Sequence, residues 1–220
     1  MNKLINALLY IAIFLTFDFA ITNLVFKKTN FWSQIDKIYF SKKDWRIESK
    51  LYHHDLKKNV DVEENWGHLK YKLITNSLAF RDFKIRKIKL ENTEKKRIYI
   101  IGDSFIEGVG YDYRDTVAGL ISNKFSNEYE ILNASVVSYS PSIYYTKTDY
   151  YIRQGLKFDY CFIFLDISDI PDENFIEEDS AGNIYDIRQK RKETSFKGKV
   201  YSFFRVYRDY FISGRFIYIV

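Results

Sequence analysis

The longest apolar stretch of the chain lies at its N-terminus. Leu4 to Phe26 is a run of 23 mostly apolar residues, bordered by Lys3 on one side and by Lys27 and Lys28 on the other. As a helix this run would span about 34 Å, which is enough for the hydrocarbon core of a bilayer. The pattern predicts a single-pass anchor at residues 4–26. No small-x-small cleavage site follows, which favours an anchor over a cleaved signal peptide; a buried helix is the other alternative.

Asp18 is the acidic residue within this run, and it opposes insertion. A carboxylate deep in a membrane costs about 2.5–3.5 kcal/mol. The run also contains fourteen Leu, Ile, Val and Phe residues, each of which favours insertion by about 0.3–0.6 kcal/mol. Insertion is therefore expected to prevail.

The polar and charged residues 29–95 are interpreted as an N-terminal extension. A short amphipathic helix is predicted at Phe31–Asp44, and apolar and polar positions alternate as in exposed strands at Tyr71–Leu78 and Phe83–Leu90.

From residue 96 onwards, short apolar runs alternate with segments of helical period. The runs predict buried parallel strands, and the intervening segments predict helices, the first of which has a capping Asp115–Thr116 pair. This order is typical of an α/β fold with a parallel, doubly wound sheet that binds ligands at the strand C-termini. The chain thus divides into an anchor at 1–28, an extension at 29–95 and an α/β domain at 96–220 that ends in an amphipathic helical segment. The predicted strands are Ile98–Ile101, Tyr129–Asn133 and Tyr160–Leu165, and the helices lie around 117–125 and at Ser142–Gly155.

Composition excludes several classes of function. A single cysteine, Cys161, which we expect to be buried, and three histidines leave little material for a metal centre, and we expect neither metal nor cofactor. The net charge of +5 is too small and too dispersed to indicate a nucleic-acid partner.

The candidate chemistry lies directly after the first strand of the α/β domain. Gly102-Asp103-Ser104 forms a strand-to-loop turn in which the Ser104 hydroxyl is expected above the sheet edge. Gly108 and Gly110 are expected to let the backbone approach a substrate closely. A turn that merely needs glycines and a small polar residue is the alternative interpretation.

The run 98–110 resembles the first block of the SGNH (GDSL-type) ester hydrolases and acyltransferases. Asn133-Ala134-Ser135-Val136-Val137-Ser138-Tyr139-Ser140-Pro141 resembles the second block, and Asp166-Ile167-Ser168-Asp169-Ile170 stands where the third belongs. Asn76-Ser77-Leu78-Ala79-Phe80-Arg81-Asp82 resembles a segment that precedes the first block in membrane-associated bacterial members. The resemblance covers roughly residues 50–205.

The resemblance implies a flavodoxin-like three-layer α/β/α fold and a serine nucleophile at Ser104. It also implies an oxyanion hole formed by Ser104, Ser138 and Ser168, of which Ser138 replaces the family's glycine and Ser168 its asparagine. Serine is shorter than asparagine, and the loss of one oxyanion donor typically costs about 100- to 1000-fold in rate.

The family's C-terminal Asp-x-x-His pair has no counterpart in this sequence, which has no histidine after Asp169 and ends on the apolar run 216–220. A serine without a general base is a weak nucleophile. His53, His54 and His68 are the available substitutes, but for each of them a solvated or hydrogen-bonded structural role is the simpler interpretation.

Two classes of function remain open. The first is a membrane-anchored ester hydrolase or acyltransferase that acts on carbohydrate or lipid-like acyl esters, in the bacterial inner membrane with its soluble part outside the cytoplasm. The second is a truncated, non-catalytic binding or assembly partner at the membrane. A C-terminal partner chain or a homodimer through an unpaired sheet edge is the expected protein contact in either case.

Overall fold

The computed structural model describes residues 2–29, 43–67, 69–91, 94–187 and 196–214. Two compact units share these residues: one spans Lys43–Ile187, and the other contains the first and the last helix. The predictions for Phe31–Asp44, except its last two residues, for His68 and for the run 216–220 lie outside the described residues.

The first helix, α1, spans Asn2–Leu24, and a short 3-10 turn follows at Phe26–Lys28. The segment Lys3–Lys28 is long and apolar enough to cross a membrane. The predicted apolar helix is therefore confirmed, and its length and composition suit a membrane span or a signal anchor.

A mixed α/β arrangement forms the larger unit. Its centre is a three-stranded parallel sheet in the order β6 (Tyr129–Asn133), β5 (Lys96–Ile101), β7 (Tyr160–Ile163). As the sequence predicted, Thr116 caps the helix α3 (Val117–Phe125) by accepting a hydrogen bond from Gly119 N. Pro141 occupies the first turn of the helix α4 (Pro141–Arg153), also as predicted. The elements of this part are β5 (Lys96–Ile101), α2 (Ser104–Glu107), α3 (Val117–Phe125), β6 (Tyr129–Asn133), α4 (Pro141–Arg153), β7 (Tyr160–Ile163), α5 (Asp169–Glu173), β8 (Ile176–Glu178) and β9 (Ile184–Asp186).

The prediction that β7 is buried was wrong. All four of its side chains are exposed, and Ile163 keeps 57% of its surface open. Cys161, expected to be a small buried hydrophobe, is exposed with them. Among the described residues the strand pairs with β5 along one edge, and an apolar run by itself does not distinguish an edge strand from a central one.

The region before the sheet contains two β-hairpins. Only part of the predicted strand Tyr71–Leu78 is observed. Phe83–Leu90 is not a strand, because its backbone bonds to loops: Arg86 O accepts from Ser77 N, and Leu90 O accepts from Lys157 N. The hairpin strands are β1 (Arg46–Ser49), β2 (His53–Leu56), β3 (Asp61–Trp66) and β4 (Leu69–Ile74).

The hairpins share the core of the sheet. Leu56, Leu73 and Phe80 are fully buried in the same cluster as Tyr99 of β5 and Leu132 of β6. Removing these apolar side chains from water is the main term that stabilises the unit. The region before the sheet is therefore an integral part of the larger unit.

A buried ion pair lies inside this core. The ammonium of Lys147 on α4 donates to Asp55 Oδ1 at 2.8 Å, to Ala134 O at 2.9 Å and to the Tyr139 hydroxyl at 3.0 Å. Burial lowers the pKa of Lys147, although the Asp55 carboxylate acts in the opposite direction. All three ammonium protons are satisfied, as a buried charge requires.

Candidate functional site

Ser104 is the first residue of α2, directly after the C-terminal end of the central strand β5. Its neighbour Asp103 caps the helix by accepting a hydrogen bond from Phe105 N at 3.0 Å. The Ser104 hydroxyl is partly exposed and lies 3.4 Å from Asp103 Oδ2, a long contact. Ser104 thus follows the C-terminal end of the strand after which the sequence placed it.

Close packing requires the glycines around this turn. A Cβ on Gly102 would lie 2.8 Å from Ile106 Cγ1. Gly108 has φ +79°, and a Cβ there would lie 2.1 Å from Thr116 Cγ2. Gly108 thus brings the turn against Thr116, the residue that caps α3, which is a structural role that differs from the substrate approach expected for it.

The loop that follows β6 is attached to the Ser104 turn at two points. The Asn133 side chain donates to Ile106 O at 2.8 Å, and its oxygen accepts from Ser135 N. Glu107 is fully buried, and its Oε2 accepts from Val137 N at 2.6 Å. The second block of the sequence is thereby held beside the first.

Glu107 also binds β1. Arg46 donates to its two carboxylate oxygens at 2.7 and 3.1 Å, in a two-pronged ion pair. Burial alone would lower the pKa of Arg46, but the Glu107 charge raises it overall. Sequence reasoning missed both residues, because nothing in the local pattern marks a glutamate in a four-residue helix as buried.

Arg81 completes the far end of α2. Its guanidinium donates to the carbonyl oxygen of Glu107, the last residue of the helix, where a helix end leaves acceptors unpaired, and to the carbonyl oxygens of Gly108 and Tyr111 in the loop that follows. The 76–82 segment that carries it is closed by Asn76, whose amide donates to Asp82 and whose oxygen accepts from Leu78 N and Phe80 N. The segment noticed in the sequence therefore supports the Ser104 turn.

Ser138 adopts φ +62°, in the left-handed region that favours glycine, and it is exposed. Within the described residues its backbone N–H has no acceptor, and neither has the N–H of Ser104. The Val137 carbonyl accepts from His54 Nε2 at 2.6 Å. Because a trans peptide directs its C=O and N–H to opposite sides, this bond points the Ser138 N–H away from His54.

Ser168 forms its hydrogen bonds within its own turn. Both its N–H and its hydroxyl donate to Asp166 Oδ1 at 2.7 Å. The neighbouring Asp169 is buried and accepts from the Tyr144 hydroxyl and from Asp166 N. Burial raises the pKa of Asp169, and the charges of Asp103 and Asp166 add to that effect. Both donors of Ser168 are therefore occupied by Asp166 in the described part of the chain.

No imidazole contacts the Ser104 hydroxyl in the part of the chain that the structure describes. His54 lies against the second block: its Nε2 must carry the proton, since a carbonyl only accepts, and its Nδ1 lies 2.6 Å from His53 Nδ1. Burial lowers the pKa of His54 to about 4, so the ring is neutral at pH 7. Both of its nitrogens are engaged, which leaves no lone pair for Ser104.

The described residues contain no group of three or more His, Cys, Asp or Glu side chains that could hold a metal ion. Comparison of the chain with protein-family models, with curated proteins and with solved structures found no match.

Replacing Ser138 by glycine is expected to stabilise the protein by about 0.5–1 kcal/mol, because glycine has no Cβ penalty at positive φ. The control is Ser126→Gly at the end of α3, where φ is −55° and glycine should destabilise by a similar amount. Urea unfolding of the full chain in detergent measures both changes. A loss of stability for Ser138→Gly would contradict the assigned backbone conformation.

Acid is expected to destabilise the fold through His54. Burial lowers its pKa from the ordinary value of 6.5 to about 4 in the folded protein, so between these values the unfolded chain binds the extra proton. Stability is therefore fully present above pH 6.5 and is lost as the pH falls towards 4, by up to about 3 kcal/mol. In His54→Gln, which keeps an N–H for Val137 O, this part of the pH dependence should disappear. Equal pH slopes for the two proteins in urea unfolding would contradict the buried neutral ring.

Proposed function

We propose that this chain is a membrane-anchored member of the SGNH-type ester hydrolases and acyltransferases, acting on acyl esters through Ser104. The observation that carries the proposal is that the backbone N–H groups of Ser104 and Ser138 have no acceptor among the described residues, while the Glu107 carboxylate joins the two segments that carry them. Two such donors near a nucleophilic hydroxyl are what a developing oxyanion requires.

The sheet order supports a flavodoxin-like architecture. The three parallel strands lie in the order second, first, third along the chain, which is how the flavodoxin-like order 2-1-3-4-5 begins. In that architecture ligands bind outside the carboxyl ends of the strands, between two neighbouring strands from which the chain continues in opposite directions. Ser104 follows the central strand at this edge.

The left-handed backbone at Ser138 supports the assignment of the second block. The family has glycine at the corresponding place, and glycine is the residue that adopts positive φ without penalty. Ser138 has φ +62° and keeps its N–H unpaired. Replacement of the glycine by serine therefore leaves the donor in place.

In the proposed reaction the Ser104 oxygen attacks the ester carbonyl and loses its proton to a base. The carbonyl oxygen becomes an oxyanion that accepts from the N–H groups of Ser104 and Ser138. Collapse of the tetrahedral intermediate breaks the bond to the alcohol, which takes up a proton as it leaves. Water or an acceptor hydroxyl then removes the acyl group from Ser104. In the described part of the chain the Ser104 hydroxyl bonds to Asp103. The base of the proposed reaction is a different group, which does not contact Ser104 there.

A non-catalytic binding or assembly role is the second candidate. One observation favours it: the Ser104 hydroxyl bonds only to Asp103 among the described residues, and both His54 nitrogens are engaged elsewhere. In this case the two N–H groups would bind a carbonyl or carboxylate oxygen without turnover.

The proposed location is the bacterial inner membrane, with Lys43–Ile187 outside the cytoplasm. The apolar helix α1 supports attachment to a membrane, since its apolar side chains are exposed along most of its length. The acyl esters of carbohydrates or lipids are the substrates that an enzyme in this place would meet.

Reaction with a fluorophosphonate probe separates the two candidates. The catalytic proposal predicts covalent labelling of the full chain in detergent, lost in Ser104→Ala and retained in the control Ser126→Ala. Hydrolysis of an aryl acetate should follow the same pattern, because both reactions need an activated Ser104. A folded chain that neither reacts with the probe nor hydrolyses the ester would overturn the catalytic proposal and support the binding role.

A further inference from the structure

Asp18 is buried although the helix around it is exposed. Its side chain is 5% exposed, while apolar neighbours such as Phe17 remain 65% exposed. In a membrane this carboxylate needs hydrogen-bond donors, since an unpaired charge there is strongly unfavourable. Its partners therefore reveal what lies against α1.

The donors come from the C-terminal end of the described chain. Asp18 Oδ1 accepts from Ile212 N at 2.9 Å, and Asp18 Oδ2 accepts from the Ser213 hydroxyl. Thr22, one turn along α1, accepts from Ile212 N at 2.7 Å. Residues 212–214 form a helical turn, so Asp18 caps the first N–H groups of a helix as an acidic N-cap does.

A second set of contacts joins α1 to the last helix, α6, which spans Phe196–Tyr210. The Asn23 amide donates to Tyr210 O at 3.1 Å, and the Phe19 ring stacks on the Tyr210 ring. The Lys27 ammonium lies 5.0 Å from the centre of the Tyr210 ring. The end of α6 therefore lies beside the last turns of α1, next to the lysines that border the apolar run.

The composition of α6 suits a membrane surface. Its fifteen residues include four Lys or Arg and one Asp. Phe203 and Val206 are 68% and 55% exposed, and Phe204 is also exposed. Basic residues combined with an exposed aromatic and aliphatic face are typical of helices that lie in the headgroup region of anionic lipids.

We propose that α6 lies on the anionic surface of the membrane that α1 spans, with Phe203, Phe204 and Val206 among the lipid acyl chains and with its C-terminal end fixed by Asp18, Thr22 and Asn23. Two observations select lipid as the occupant of this face: its continuity with an apolar helix that can cross a membrane, and its positive charge. The inference rests on the membrane anchor of the proposed function and is independent of the chemistry at Ser104.

Nitroxide labelling of the full chain tests the proposal. Phe203→Cys, in a Cys161→Ser background, is labelled and reconstituted into vesicles of phosphatidylcholine and phosphatidylglycerol. The label is expected to collide more with oxygen, which is concentrated in lipid, than with a water-soluble nickel chelate. A label at Asp209→Cys should show the opposite preference, because Asp209 is charged and half exposed.

The Asp18 contact is tested in the same system. Asp18→Ala removes the carboxylate that accepts from Ile212 and Ser213, so that Ile212 N keeps the Thr22 hydroxyl alone among these acceptors. The change also favours insertion of α1, and the oxygen preference at position 203 is expected to be lost. Thr16→Ala is the matched control, since among the described residues the Thr16 hydroxyl bonds to Ala12 O of its own helix and to no residue of α6. An oxygen preference that persists in Asp18→Ala would overturn the role of Asp18 in fixing α6.

Vesicle flotation reports on the anchor separately. A chain that floats while the label at position 203 prefers the nickel chelate would overturn the proposal and leave the anchor intact. A label shielded from both reagents would show that protein covers this face, which also overturns it. A chain that does not float would contradict the anchor and the inference together.

Discussion

The candidate site depends on Val137, whose backbone N–H and C=O are both hydrogen-bonded to side chains. The buried carboxylate of Glu107 accepts from Val137 N, and the ring of His54 donates to Val137 O. These two bonds fix the left-handed turn at Ser138 and direct its N–H away from His54. Glu107 belongs to the same short helix as Ser104, so one side chain holds the Ser104 turn and the loop that carries Ser138 together.

Buried charge gives this arrangement its specificity. Removing one partner of a buried ion pair typically costs about 3–5 kcal/mol, because the other charge stays unpaired. Here Arg46 pairs with Glu107, and Arg81 caps the carbonyls after it. Both arginines come from the region before the sheet. The hairpins and the 76–82 segment therefore determine the shape of a site whose chemical groups lie later in the chain.

The sequence predicted the elements whose signals are local. The β-branched run 98–101 ends at a glycine, Thr116 caps a helix of clear apolar period, and Pro141 begins the next. Long-range features escaped this reasoning. The exposure of β7 depends on which strands pair with it, the burial of Glu107 depends on Arg46, and the irregular path of Phe83–Leu90 depends on loop partners. The left-handed turn at Ser138 has a partial signal, since serine stands where the resembling family has glycine.

Amide hydrogen exchange in the Glu107→Gln variant tests most directly whether one carboxylate holds the two parts of the site together. With one oxygen replaced by an amide, the account predicts faster exchange in both 104–110 and 134–140, with Glu63→Gln on an exposed strand as the control. Unchanged protection of 134–140 in a variant whose 104–110 segment exchanges faster would contradict it.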